Sequence, residues 1–192
     1  IDLTNPHFPE KATLSQEIIS ITGTKNQNWI GIAPFAQYES KVYPLDLMQQ
    51  VIDGLAENKN NKIFLFGGGE KEIQLLNQLQ NQHENVIVLA GKLKFKQELE
   101  VISNLDIMLS MDSGNAHIAA MLGVKVITLW GATHPYAGFM GWKQSLNNSL
   151  QVDLACRPCS VFGQKPCFRR DYACLNGISP KEVIDKVESL LR

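Results

Sequence analysis

Five short runs of branched and aromatic apolar residues, separated by longer segments with a helical repeat, constrain this chain more than any other feature. The runs are Trp29 to Pro34, Ile63 to Phe66, Val86 to Leu89, Ile107 to Met111 and Val126 to Trp130. Ile63-Phe64-Leu65-Phe66 shows no polar alternation, as expected of a parallel strand covered on both faces. Between the runs, Met48, Val51, Ile52 and Leu55 recur at three- and four-residue spacing. So do Ile73, Leu76 and Leu79, and then Leu99, Ile102 and Leu105, each set giving one apolar helix face. Strands alternating with amphipathic helices predict an α/β fold, a doubly wound parallel sheet of Rossmann-like type.

The ends of the chain divide differently. Residues 1–25 open with Ile-Asp-Leu-Thr-Asn-Pro-His-Phe-Pro, which lacks Met and periodicity, and are expected to form an interdomain linker. Such a start reads as a piece of a longer protein. Residues 26–178 form the sheet domain, with a loop-rich tail from about 150. Residues 179–192 are expected to close the chain with a helix, since Ser179, Pro180 and Glu182 make a capping box ahead of Val183, Val187, Leu190 and Leu191. The Asn26 to Asn28 and Asn147 to Ser149 clusters read as surface loops.

With 192 residues the chain is long enough to bury a core without disulfides or metal. A net charge of -1 disfavours a nucleic-acid partner, because no global excess of Lys and Arg is present to hold a phosphate backbone. No apolar run reaches the ~20 residues of a membrane span, and the expected location is cytoplasmic.

In open α/β sheets ligands bind beyond the carboxyl ends of the strands, so the turns that follow the runs are the candidate sites. The turn Met111-Asp112-Ser113-Gly114-Asn115-Ala116-His117 leads into a helix of small residues. Its first amides and dipole favour a phosphate, Gly114 allows close approach, and His117 adds a donor. The plainer reading is that Asp112 and Ser113 cap the helix and His117 is packed or solvated. In Gly67-Gly68-Gly69-Glu70-Lys71-Glu72 the third glycine of a dinucleotide fingerprint would fall on Glu72, so a hydride-transfer cofactor finds little support. Glu70 or Glu72 is left to accept from ribose hydroxyls or merely to favour the helix dipole.

The long loop from Ala33 to Pro44 carries Lys41, either a point charge over a diphosphate or a solvated surface cation. Trp130-Gly131-Ala132-Thr133 either walls a base slot or ends the core at Trp130. The four cysteines, Cys156, Cys159, Cys167 and Cys174, all lie in the tail. Their spacing leaves metal, disulfides and packed free thiols open. Arg157, Lys165, Arg169 and Arg170 are interleaved with them, a local basic patch that suits an anionic acceptor or membrane surface, or a solvated loop. There is no Walker lysine motif, no H-E-x-x-H, no G-x-S-x-G and no Asp-x-Asp, which disfavours metal-dependent phosphate chemistry.

As a set, Asp112-Ser113-Gly114-Asn115-Ala116-His117 with Ala119-Ala120, Leu122-Gly123, Val126 to Gly131 and Thr133 resembles glycosyltransferase family 9, the lipopolysaccharide heptosyltransferases. The Lys41 to Pro44 spacing, the Gly-rich turn with Glu70 and Glu72, and the cysteine-rich tail are also similar to that family. The resemblance covers roughly residues 29–192 and implies the carboxyl-terminal half of a GT-B fold. It further implies that Ser113, Gly114, Asn115 and Ala116 hold the diphosphate of a nucleotide sugar, that His117 and Lys41 neutralise it, that Glu72 reaches the ribose, and that Gly131 and Thr133 belong to the donor site. Asp112, an anion itself, is expected to fix the turn by hydrogen bonds instead of touching phosphate.

The implied reaction is inverting transfer of heptose or a related sugar, with ADP-heptose as the expected donor, to the core oligosaccharide of an anionic glycolipid. The resemblance calls for no metal and no further cofactor. It places the catalytic base in an amino-terminal acceptor domain without a counterpart here, and it implies peripheral association with the inner face of the inner membrane. Two departures stand out: Val42-Tyr43 replaces a commoner basic residue and Trp before Pro44, and Ala132 sits where proline is usual. The competing readings are another GT-B nucleotide-sugar enzyme, such as a UDP-sugar transferase or epimerase, and a non-enzymatic module that binds zinc and a partner through the tail.

Overall fold

The computed structural model describes residues 7–192. Six parallel strands form one sheet: β1 (Asn28–Ala33), β2 (Asn61–Leu65), β3 (Val86–Val88), β4 (Ile107–Met111), β5 (Lys125–Trp130) and β6 (Ser149–Gln151). Their spatial order is β3-β2-β1-β4-β5-β6. The chain first winds outward from β1 to β3, crosses back, and winds the other way from β4. β1 and β4 are therefore neighbours at the point where the winding reverses, with Ile30 in register with both Ile63 and Ile107. In sheets of this kind that reversal opens a crevice at the carboxyl edge.

Helices cover both faces. On one side lie α2 (Leu45–Glu57), α3 (Gly69–Gln80), the short α6 (Ala173–Asn176) and α7 (Pro180–Leu191). There Met48, Val51, Ile52, Leu55, Leu76, Val183 and Val187 pack on Ile30, Ile32, Ile63, Leu65, Ile107 and Leu109. On the other side lie α1 (Gln16–Thr22), α4 (Phe95–Ser103) and α5 (Gly114–Met121), packing Ile18, Val101, Ile102, Ala116, Ala119 and Ala120 on Trp29, Phe64, Met108 and Val126. The alternation of side chains along β1, Trp29 to one layer and Ile30 to the other, is the period-2 pleat feeding two cores. The small residues of α5 let its backbone lie close to the sheet, so the start of α5 sits directly above the end of β4.

Three sequence expectations change. The supposed linker 1–25 is folded over part of its length: α1 is capped by Ser15, which accepts from the Ile18 amide, and Ile18 is fully buried. Residues 1–6 lie outside the described residues. The Asn147 to Ser149 cluster includes the start of β6, which pairs in parallel with β5 through Leu129 and Leu150. The loop-like composition hid that strand because only Leu150 of its three residues is buried. Of the capping box expected at Ser179 one half forms: the Ser179 hydroxyl accepts from the Glu182 amide, without a return bond from the Ser179 amide to the Glu182 side chain. Among the described residues no helix is long and apolar enough to cross a membrane.

Candidate functional site

The loops leaving β1, β2, β4 and β5 border the candidate site at the carboxyl edge, and the loop leaving β1 organises them. It passes through a single 3-10 turn, Glu39–Lys41, and reaches over the end of β4 to the loop leaving β5. The Ala132 amide donates to the Ser40 carbonyl at 3.0 Å. A Cβ on Gly131 would run into that same Ser40 carbonyl and into Leu175. Gly131 thus owes its identity here to the close approach of two backbones, and it is buried. Ala132 must keep its N–H, which a proline lacks.

Beneath the arch lies Asp112, 4 % exposed. One of its oxygens, Oδ2, accepts from the Thr133 hydroxyl at 2.8 Å and from the Lys41 ammonium at 3.2 Å. Asp112 therefore ties the end of β4 to the loops leaving β5 and β1, the hydrogen-bonding role expected of it. Lys41 is not a freely solvated surface cation: its side chain is 13 % exposed and held by this pair. An ammonium carries three N–H donors, so the contact to Asp112 leaves donors for a ligand. The hydroxyl of Thr133, a residue with no exposed surface, is committed to Asp112.

Above Asp112, α5 begins. Ser113 takes the extended N-cap conformation, but its side chain caps nothing and instead exchanges a hydrogen bond with the Ser110 hydroxyl at 3.1 Å. This corrects the expectation that Ser113 caps the helix. The first amides of α5 are left without a side-chain cap, at the positive end of the helix dipole. A Cβ built on Gly114 meets nothing within 4 Å, so the space in front of the helix is open. Asn115 and His117 are half-buried on the first turn, and Ala116 faces the core.

The turn after β2 supplies the other wall. Gly68 and Gly69 also border open space, and Gly69 adopts φ of +77°, a conformation that favours glycine. Glu72 turns back to accept from the Gly68 amide at 2.8 Å. Glu72 shapes the glycine turn through Oε2, and the second oxygen of the carboxylate leaves acceptor capacity for a ligand. Glu70 is exposed.

Other expected features resolve differently. Trp130 is fully buried and belongs to the core, not to an open base slot. Tyr43 is also fully buried, its hydroxyl donating to the Ile178 carbonyl at 2.6 Å, so it has no access to a sugar. Burial, with Asp46 and Glu182 adding to it, pushes the Tyr43 pKa up to about 12. All four cysteines are free thiols, and among the described residues no three His, Cys, Asp or Glu side chains are gathered so as to hold a metal ion. Burial, and after it the neighbouring thiols, raise the Cys159 pKa above its ordinary value.

The basic patch is smaller than its sequence suggested. Arg169 pairs with Asp171 at 2.8 Å and Arg157 is turned inward, leaving Lys165 and Arg170 exposed. Sequence reasoning missed Ser40, whose carbonyl and hydroxyl tie three loops together, and no motif marks it. A separate cleft of about 350 Å³, lined by Lys11, Asn28, Asp106 and Lys125, lies at the opposite, amino edge of the sheet. That edge lacks the helix starts facing a strand switch, so the carboxyl edge remains the candidate site.

The chain is 29% identical over 190 residues to lipooligosaccharide heptosyltransferase 2 of Campylobacter jejuni, an alignment covering 96% of this chain and 57% of that protein. Among solved structures it is similar to E. coli ADP-heptose lps heptosyltransferase II, with TM-score 0.70, 20% identity, and coverage of 94% of this chain and 53% of that one. It is also similar to E. coli heptosyltransferase WaaC with ADP, with TM-score 0.66, 20% identity, and coverage of 90% and 47%. At these identities the structures establish the shared fold. The chain spans about half the length of the relatives it matches. The family model of glycosyltransferase family 9 (heptosyltransferase) matches residues 1–166, most of the chain, so this protein belongs to glycosyltransferase family 9.

Proposed function

We propose that this chain forms the donor-binding half of an inverting glycosyltransferase that moves heptose, or a related sugar, from a nucleotide diphosphate sugar to the core of a lipopolysaccharide. ADP-heptose is the donor favoured by this reading, since the similar E. coli WaaC structure holds ADP. The observation that carries the proposal is the start of α5. Its amides are uncapped by a side chain, Gly114 faces open space, and Lys41 is held alongside by Asp112. Fixed N–H donors, a helix dipole and one ammonium are the means by which a protein stabilises a departing diphosphate through electrostatics.

The roles follow from position. The amides of Gly114 and Asn115, with Ser113, receive the diphosphate, the Ala116 amide joins them on release of the Ser113 carbonyl to which it donates at 3.2 Å, and His117 and Lys41 add positive or donor character. Glu72 keeps the Gly68 amide on Oε2 and accepts from a ribose hydroxyl with its other oxygen. Gly131 and Thr133 shape the floor. The base that deprotonates the acceptor hydroxyl is assigned to an acceptor domain, and the residues named above are assigned to donor binding. The acceptor is an anionic glycolipid at the inner face of the inner membrane, with Lys165 and Arg170 as the exposed cations of the tail.

Calorimetric titration with ADP, UDP and GDP tests this reading. One clear preference, for ADP, is expected. A preference for UDP would favour a UDP-sugar transferase or epimerase of the same fold, and no binding to any of the three would remove the donor-site reading.

A further inference from the structure

Residues 152–172 contain no helix or strand, yet this segment lies across the candidate site. Arg157, which the sequence groups with a basic patch, points away from solvent. Its Nε donates to the Gly131 carbonyl at 2.6 Å, one terminal nitrogen to the Thr133 carbonyl at 2.8 Å, and the other to the Val152 carbonyl at 2.6 Å. Between the two β5-loop carbonyls, the Ala132 carbonyl accepts from the Cys159 amide at 2.8 Å and the Ala132 amide donates to Ser40. Every peptide from Gly131 to Thr133 is thereby fixed by a neighbouring loop.

The same segment holds Lys41 from a second direction. The Ser40 hydroxyl donates to the Gly163 carbonyl. Gly163 lies so close to the Lys41 stem that a Cβ there would come within 2.7 Å of Cγ and 2.8 Å of Cδ. From Arg157 a continuous chain of contacts runs through Thr133 to Asp112 and on to Lys41.

We propose that Arg157 is a positioning residue for donor binding, holding the Gly131 to Thr133 turn so that Thr133 and Asp112 present the Lys41 ammonium at the start of α5. The proposal rests on the donor-site reading above and adds a residue to it. Arginine suits the task because its planar fork meets several carbonyls at once, whereas a lysine ammonium has no such fixed geometry. The guanidinium works on backbone carbonyls, so its charge serves geometry and does not contact phosphate.

The test uses the full protein, calorimetry with ADP, and a cycle of Arg157→Gln, Lys41→Met and the double variant, with thermal unfolding recorded for each. Arg157→Gln is expected to weaken ADP binding by about tenfold or more in folded protein, Arg157→Lys by less. Lys181→Gln, which removes an exposed charge from α7, is expected to leave affinity unchanged. Because Arg157 acts through Lys41, the double variant should bind no more weakly than Lys41→Met alone.

Wild-type affinity in folded Arg157→Gln, or losses that add fully in the double variant, would overturn the proposal. Should Arg157→Gln not fold, the same cycle with Arg157→Lys decides by the same criteria. A wild type that binds no nucleotide removes the donor reading. The positioning claim is then read from the Lys41 Cε resonance, which must shift in Arg157→Lys and stay in place in Lys181→Gln, and which refutes the claim if it does not.

Discussion

The Thr133 hydroxyl donates to Asp112 Oδ2 at 2.8 Å, joining the loop after β5 to the end of β4 beneath the arch of the β1 loop. Both residues are buried, so the bond is shielded from water and sets where the Asp112 charge lies. Lys41 takes its place from that charge. Thr133→Val keeps the shape and deletes the donor, leaving a buried carboxylate short of one partner. The expected cost is about 1–3 kcal/mol in stability by thermal unfolding, with ADP binding weaker by about tenfold. Thr133→Ser should retain most of both.

Gly114 separates folding from binding. A methyl there meets no protein atom, and alanine is the better helix residue, so Gly114→Ala should hold or raise stability by up to about 1 kcal/mol. The same methyl enters the space assigned to the diphosphate. Calorimetry is expected to show ADP affinity falling by at least about tenfold. Unchanged affinity would place the anion elsewhere.

At Gly131 and Ala132 the argument concerns backbone contact. Gly131→Ala drives a Cβ into the Ser40 carbonyl and Leu175, and overpacking of this kind costs about 1–3 kcal/mol. Ala132→Pro removes the N–H that meets Ser40, and about 1–3 kcal/mol of stability should go with it. Denaturant unfolding of both variants checks these values. Ala132→Pro at wild-type stability would show that the arch does not depend on that bond.

Much of the sheet was legible because its central strands are continuously apolar and buried on both faces. β6 and α1 were not, since one contributes a single buried residue and the other follows a Pro-interrupted stretch whose polar surface masks Ile18. At the site, the turn from Asp112 to His117 could be read because strand, glycine and small-residue helix are contiguous. The anchoring role of Asp112 followed from charge alone. What the sequence hides is partnership at a distance: Lys41 and Asp112 are 71 positions apart, and Arg157 and Thr133 are 24 apart. Ser113 looked like a cap by residue type, but the nearby Ser110 hydroxyl competes for it.

Tyr43 gives a pH signature. Its folded pKa, about 12, lies above the ordinary tyrosine value of 10.0, so the unfolded chain loses this proton first as pH rises. The stability from the neutral, buried phenol is fully present below pH 10.0 and drains away toward pH 12, a loss of about 3 kcal/mol. Urea unfolding between these limits should show the decline. Tyr43→Phe should be less stable at neutral pH, having lost the bond to the Ile178 carbonyl, but should lack this part of the alkaline slope.

The central claim is that an anion is received at the start of α5, and amide resonances report it directly. In ¹⁵N-labelled protein titrated with ADP, saturable shifts are expected at Gly114, Asn115 and Ala116, with Gly68 and Lys41 following. Asn28, Asp106 and Lys125, at the far edge of the sheet, should stay still. Shifts confined to that far edge, or none at the α5 amides at saturating ADP, would contradict the account.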